Sequence, residues 1–266
     1  MRIAVAGKGG AGKTTISATL SRLVASKGTP VVAIDADSNP NLASALGMGA
    51  DGVRSTALPP SLVSRRLDGP ALAGEVAEVL RSHATTGPDG LKLVVMGAPD
   101  HAEQGCLCAS HAVVSAMLAD LGSYQDWTVV VDLEASPEHM SRGTARNVDV
   151  LILVAEPYYR SLAAVGRLAV LATELPIPRV AVVLNKVRGP EDALAMGEFC
   201  INHGLECLGE LPWSEEILGA DRAGVCLFDY MPDGEVVTAV SSLVDRLETV
   251  SGTREGSVSM SAQAVI

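Results

Sequence analysis

Short apolar runs, separated by longer stretches of mixed polarity, pattern this chain from its second residue onward. The runs Ile3–Ala6, Pro30–Ile34, Leu91–Met96, Thr128–Asp132, Val150–Ala155 and Val180–Asn185 are near-continuous Val, Ile, Leu and Ala. That is the pattern of strands buried on both faces. A shorter run at Glu206–Leu211 reads as a seventh strand. Between them, helical spacing predicts helices at Lys13–Ser26, Ala71–Ser82, Ala109–Leu121, Ser161–Leu175, Pro190–His203, Glu215–Ala223 and Glu235–Val250. Strands and helices in alternation predict an α/β fold of three layers, a mostly parallel sheet with helices on both faces. Gly49–Gly69, with Pro, Ser and Arg, reads as a surface excursion. Residues 1–250 are expected to form one domain, and 251–266, which lack apolar periodicity, a flexible tail.

The junction of the first strand and helix carries the strongest chemical signal. It reads Gly7-Lys8-Gly9-Gly10-Ala11-Gly12-Lys13-Thr14-Thr15. Strand, Gly-rich turn and helix start are the context of a phosphate-binding loop. Glycines let backbone N–H groups approach phosphate oxygens, and the helix N-terminus adds partial positive charge. Lys13 reaches the β- and γ-phosphates, and the Thr14 hydroxyl sits on Mg²⁺.

Composition narrows the partners. The chain has 266 residues, 48% hydrophobic, enough for one large domain with a full core. A formal net charge of −11 without an evident basic patch argues against nucleic acid, and 3% aromatics argue against base-stacking platforms. No apolar run approaches about 18 residues, so no membrane span is expected. The first strand starts too early to leave room for a signal peptide, and a cytoplasmic location with reduced cysteines is the expectation.

A second signal is Gly105-Cys106-Leu107-Cys108-Ala109-Ser110-His111, between a strand and a helix. Cys-x-Cys is too tight for a relaxed internal disulfide. It offers two thiolates, whereas a closed metal site usually takes four ligands. A symmetric dimer with this loop on its axis would supply four. Thiolates accept Ni²⁺, Zn²⁺, Cu(I) and iron–sulfur clusters, so the metal stays open. His111 is either an additional ligand or a residue of the helix surface. Cys200, Cys207 and Cys226, among apolar neighbours, read as core thiols.

Lys8, an additional lysine early in the loop, makes the motif specific. It resembles the deviant Walker A of dimeric ATPases that include MinD, ParA, the arsenite and tail-anchor ATPases, nitrogenase iron protein and CooC. In that group the early lysine crosses to the partner's nucleotide, which implies that Lys8 acts in trans and couples ATP to a nucleotide-dependent homodimer. The resemblance extends to Ile34-Asp35-Ala36-Asp37, similar to switch I. It implies that Asp37 orients or deprotonates the attacking water and that Asp35 supports the Mg²⁺ shell. Val129-Val130-Val131-Asp132-Leu133-Glu134 resembles Walker B, which implies Asp132 on Mg²⁺ through water and Glu134 near the same shell or the partner subunit. Val183-Leu184-Asn185 resembles the adenine-reading strand end, and Leu211-Pro212-Trp213 the loop near the base.

Within that group, Cys106 and Cys108 before an Ala-rich helix resemble the CooC type, which assists nickel insertion into carbon monoxide dehydrogenase. This resemblance spans about residues 1–250. It implies an ATP-hydrolysing metallochaperone binding ATP/ADP, Mg²⁺ and Ni²⁺, with Zn²⁺ possible, and serving a client metalloenzyme. Two alternatives stay open, an iron–sulfur cluster carrier or reductase-type ATPase of the nitrogenase iron protein class and a MinD/ParA-like positioning ATPase, and each has a feature to compare with the chain. A nitrogenase-type iron–sulfur reductase would carry a further cysteine shortly past Walker B, and Ser136–Gly143 holds none. A MinD-like positioning ATPase would end in a basic amphipathic helix, and 251–266 has a single Arg.

Overall fold

The computed structural model describes residues 1–49, 57–66, 69–97, 108–135 and 143–258. The apolar runs form β1 (Arg2–Gly7), β2 (Val31–Ala36), β6 (Lys92–Val95), β7 (Thr128–Leu133), β8 (Val150–Ala155), β9 (Arg179–Val187) and β10 (Glu206–Pro212). Together with a two-residue strand, β5 (Thr85–Thr86), they build one sheet in the order β10-β9-β8-β1-β7-β2-β6-β5. Every pairing is parallel except β5 on β6.

Alternate residues of each central strand enter different cores, which is why the runs are apolar at every position. Ile3 and Val5 of β1 join one core, and Ala4 and Ala6 the other. The first core lies under α1 (Lys13–Ser26), α2 (Leu42–Ala45), α7 (Glu216–Ala223), α8 (Leu227–Tyr230) and α9 (Glu235–Val258). The second lies under α3 (Val76–His83), α4 (Cys108–Leu121), α5 (Tyr159–Thr173) and α6 (Pro190–Asn202). The expected three layers are therefore present. Helix α1 is buried from Ile16 to Ala25 because the sheet covers one side of it and neighbouring helices the other. Its small residues, Ser17, Ala18, Ser21 and Ala25, permit that close packing.

Three segments depart from expectation. The helix expected at Ala71–Ser82 starts at Val76, because Ala71 and Leu72 belong to β4 (Gly69–Leu72), which pairs antiparallel with β3 (Val63–Arg66). Pro70 and Gly74 punctuate the chain there and delay the helix. The excursion before β3 is anchored rather than superficial: Leu58 is buried, and its N–H donates to the Val95 carbonyl at 3.1 Å. Finally, α9 continues to Val258, beyond the helix end expected at Val250. Among the described residues, no helix is long and apolar enough to cross a membrane.

Candidate functional site

The chain leaves β1 into a loop whose shape only glycine permits. Gly10 (φ +80°) and Gly12 (φ +97°) are left-handed, and a Cβ on Gly12 would stand 2.3 Å from Asn185 Nδ2. The loop closes on itself through Ala11 N–H donating to the Lys8 carbonyl at 3.1 Å. Helix α1 then opens at Lys13, which is buried, followed by Thr14 and Thr15. Gly7, Lys8, Gly9, Gly10, Ala11, Gly12, Lys13, Thr14 and Thr15 thus form one strand–loop–helix unit at the C-terminal edge of the parallel sheet, where such folds bind ligands.

Two buried carboxylates stand beside the loop. Asp35 and Asp132 are partners in register on β2 and β7. Asp132 accepts from the Thr14 hydroxyl at 2.6 Å and from Ser17 Oγ at 3.2 Å. Asp35 accepts from Leu42 N–H at 2.8 Å and Asp37 N–H at 3.2 Å. Burial pushes the Asp132 carboxyl up to about 7, with the Asp35 charge adding to the rise against the Thr14 hydrogen bond. Burial likewise raises Asp35 to about 6, opposed by its backbone hydrogen bonds. Two converging acids and a hydroxyl form an oxygen donor set suited to a hard cation such as Mg²⁺. Asp37 lies next in the chain, half-buried, and accepts from Asn39 N–H at 2.8 Å in a tight turn.

On the other flank of the loop, β9 and β10 open a pocket of about 210 Å³. Gly12, Thr15, Asn185, Leu211, Trp213 and Ile217 are among its lining residues. Asn185 is buried and donates from Nδ2 to the Ala11 carbonyl at 2.7 Å, so it grips the phosphate loop as well as facing the pocket. Pro212 ends β10, and it is its neighbours Leu211 and Trp213 that line the pocket. Trp213 is held by its N–H on the Val187 carbonyl at 2.9 Å and by the Arg188 guanidinium 4.3 Å from its ring centroid.

A polar chain tying Lys8 to this flank has no counterpart in the sequence reading. Lys8 Nζ donates to Tyr158 Oη at 3.3 Å and sits 5.3 Å from that ring's centroid. Tyr158 Oη donates to Glu156 Oε2 at 2.5 Å. Glu156 Oε1 receives Lys186 Nζ at 2.7 Å, and the same ammonium donates to the Gly10 carbonyl at 2.6 Å. Glu156 is an acid directly after an apolar strand, the one hint that sequence offers.

The cysteine pair falls at the limit of the described residues. Cys106 lies outside them, and Cys108 is the first residue of α4. Helix α4 runs antiparallel to the sheet, since Leu118 near its other end accepts from Arg2 Nη1 at the start of β1 at 3.1 Å. Its Cys108 end therefore points toward the sheet edge that carries Lys8. His111 is not a surface residue: it is buried, with Nδ1 3.3 Å from the Thr144 hydroxyl. Cys200 and Cys226 are buried as expected, but Cys207 is exposed, because β10 is an edge strand. Among the described residues, no group of three or more His, Cys, Asp or Glu is placed to hold a metal ion.

Comparison with known proteins agrees with this geometry. Residues 3–227 match the model of the CobQ/CobB/MinD/ParA nucleotide binding domain. The chain is 36% identical over 244 residues to the carbon monoxide dehydrogenase accessory protein CooC of Rhodospirillum rubrum, covering 87% of this chain and 91% of that one. It is 33% identical over 230 residues to an ATP-binding protein of Methanocaldococcus jannaschii, covering 84% and 90%. Among solved structures, the septum site-determining protein MinD of Pyrococcus horikoshii, complexed with Mg-ADP, superposes with a TM-score of 0.70 at 17% identity, covering 95% and 97%.

Proposed function

The chain belongs to the CobQ/CobB/MinD/ParA nucleotide-binding family and is an ATPase of it, and from that premise we propose that it is an ATP-driven nickel chaperone. It works in the cytoplasm as a nucleotide-dependent homodimer. Its client is a carbon monoxide dehydrogenase or a related nickel enzyme. Lys13 binds the phosphates. Thr14 and Asp132, with Asp35 behind them, hold the Mg²⁺ that shields phosphate charge. Asp37 positions the attacking water. Lys8 of each subunit reaches the nucleotide of the other, adding charge stabilisation only when two subunits meet. Cys106 and Cys108 of two chains hold one nickel ion as cargo, with Zn²⁺ a competitor for the same thiolates.

One observation carries the cargo reading. The Cys108 end of α4 and the Lys8-bearing loop lie toward the same edge of the sheet, so a dimer formed through Lys8 can bring both cysteine pairs together. The likeness to a carbon monoxide dehydrogenase accessory protein supports the choice of client. ATP then favours the dimer state that completes the four-thiolate site, and hydrolysis favours release.

Calorimetric titration of Ni²⁺ into the wild-type chain and into Cys106→Ser/Cys108→Ser tests this. The reading expects tight binding in the wild type and its loss in the double variant, with ATP affinity kept. Equal nickel affinity in both proteins would refute it.

A further inference from the structure

We propose that Tyr158 is a positioning residue of the ATPase: it holds Lys8 against its own chain and thereby sets how readily that lysine is given to a second subunit. The inference rests on the reading of Lys8 as a lysine that acts across a dimer.

The restraint is built from neighbouring strand ends. Lys8 follows β1 and Tyr158 follows β8, and β1 pairs with β8 in parallel register up to Gly7↔Val154. Glu156 continues β8 with only 4% of its surface exposed. A carboxylate so buried requires partners. Among the described residues it has the Tyr158 hydroxyl and the Lys186 ammonium. Its own N–H donates to Ser161 Oγ at 3.0 Å, which fixes the turn into α5. Tyr158 is thereby presented with its hydroxyl hydrogen committed to Glu156, leaving the oxygen lone pair and the ring face for a cation. Lys8 takes both.

The other arm of Glu156 leads to the phosphate loop. Lys186 adopts φ +61°, a conformation that side-chain-bearing residues use sparingly, and its ammonium reaches the Gly10 carbonyl. Asn185, one residue earlier, holds the Ala11 carbonyl. One buried carboxylate therefore joins the residue that restrains Lys8 to the residues that shape the loop and line the base pocket. Within a single chain, Lys8 already has a partner. To serve another subunit's phosphate it must leave Tyr158, so that contact opposes dimerisation and not nucleotide binding.

Sedimentation velocity of the full chain, with Mg²⁺ and a non-hydrolysable ATP analogue, reads the dimer dissociation constant. A fluorescent ATP analogue at dilutions where the protein is monomeric reads nucleotide affinity separately. Tyr158→Phe keeps the ring and the fold and should tighten the dimer slightly. Tyr158→Ala removes both contacts in each of the two subunits and should tighten it about five- to thirty-fold, the range of two exposed cation–π contacts per dimer. Neither should change nucleotide affinity of the monomer. In a Lys8→Ala background, Tyr158→Ala should have no further effect, which separates restraint of the lysine from a general role of the tyrosine. A dimer unchanged or weakened by Tyr158→Ala, while Lys8→Ala weakens but does not abolish dimerisation, overturns the restraint and leaves the trans role of Lys8 standing. A Lys8→Ala protein that dimerises like wild type overturns both.

Discussion

Asp35 and Asp132 are paired in register on adjacent parallel strands, both buried, and no lysine or arginine bonds either carboxylate among the described residues. Among the described residues, their hydrogen bonds come from Thr14, Ser17 and backbone N–H groups. Lys13 acts on Asp132 through space, without a hydrogen bond. The arrangement concentrates carboxylate oxygens at the foot of the phosphate loop, a donor set that suits a divalent cation.

Stability should therefore depend on pH in a defined direction. Both acids titrate higher in the fold than in the unfolded chain, Asp35 at about 6 and Asp132 at about 7. Between the ordinary carboxylate range and these values the folded state holds more protons, so stability falls as pH rises through that window. Without Mg²⁺, these two groups should make the protein less stable at pH 8 than at pH 5.5, and Mg²⁺-nucleotide should narrow the gap. Asp132→Asn should raise the melting temperature at pH 8 without metal by about 2–4 °C or more, while losing Mg²⁺-dependent turnover. Melting curves at the two pH values check this, and a lower melting temperature for Asp132→Asn at pH 8 would contradict it.

Asp37 is half-buried beside this pair, and its carboxylate accepts from a local turn N–H. Asp37→Asn is expected to preserve the turn and nucleotide binding while slowing turnover by about two orders of magnitude or more. Single-turnover hydrolysis and nucleotide affinity measured side by side decide the matter. Unchanged turnover would remove Asp37 from the reaction.

Gly12→Ala tests the loop itself. The new Cβ would meet Asn185 Nδ2 at 2.3 Å, in a backbone conformation that alanine disfavours. Nucleotide affinity should drop at least ten-fold, which is a loss of about 1.4 kcal/mol, with the sheet intact by circular dichroism. Wild-type affinity in this variant would mean that the loop and Asn185 are not tied as described.

Cys207 offers a chemical check on the edge strand. It is exposed, whereas Cys200 and Cys226 are buried. In a Cys106→Ser/Cys108→Ser background, brief iodoacetamide treatment of the folded protein should label Cys207 first. Peptide mass spectrometry showing Cys226 modified ahead of it would contradict the placement of β10.

The buried strands were legible because parallel strands covered on both faces must be apolar at every position. The phosphate loop was legible because glycine spacing and strand–helix context serve one chemistry. Less could be read where tertiary contacts decide. Leu58 sits in a polar, Pro-rich stretch yet is buried, because its partner Val95 is distant in sequence. His111 is drawn inward by Thr144, more than thirty residues away. The Lys8–Tyr158–Glu156–Lys186 chain draws on three strand ends whose adjacency is a property of sheet order, not of local pattern. Asn185 resembles a base-reading residue by its place at a strand end, whereas its bond to the Ala11 carbonyl depends on how β9 sits beside the phosphate loop.

The central claim is that nucleotide-driven dimerisation assembles one metal site from two cysteine pairs. The most direct test is metal content of the dimer and monomer fractions, separated by size exclusion with a non-hydrolysable ATP analogue or with ADP and quantified by plasma mass spectrometry. The account predicts about one nickel per two chains in the ATP-analogue dimer, the count that four thiolates from two chains supply, with little in the monomer and none in Cys106→Ser/Cys108→Ser. One nickel tightly held by each isolated monomer, or full metal retention in the double variant, would contradict it.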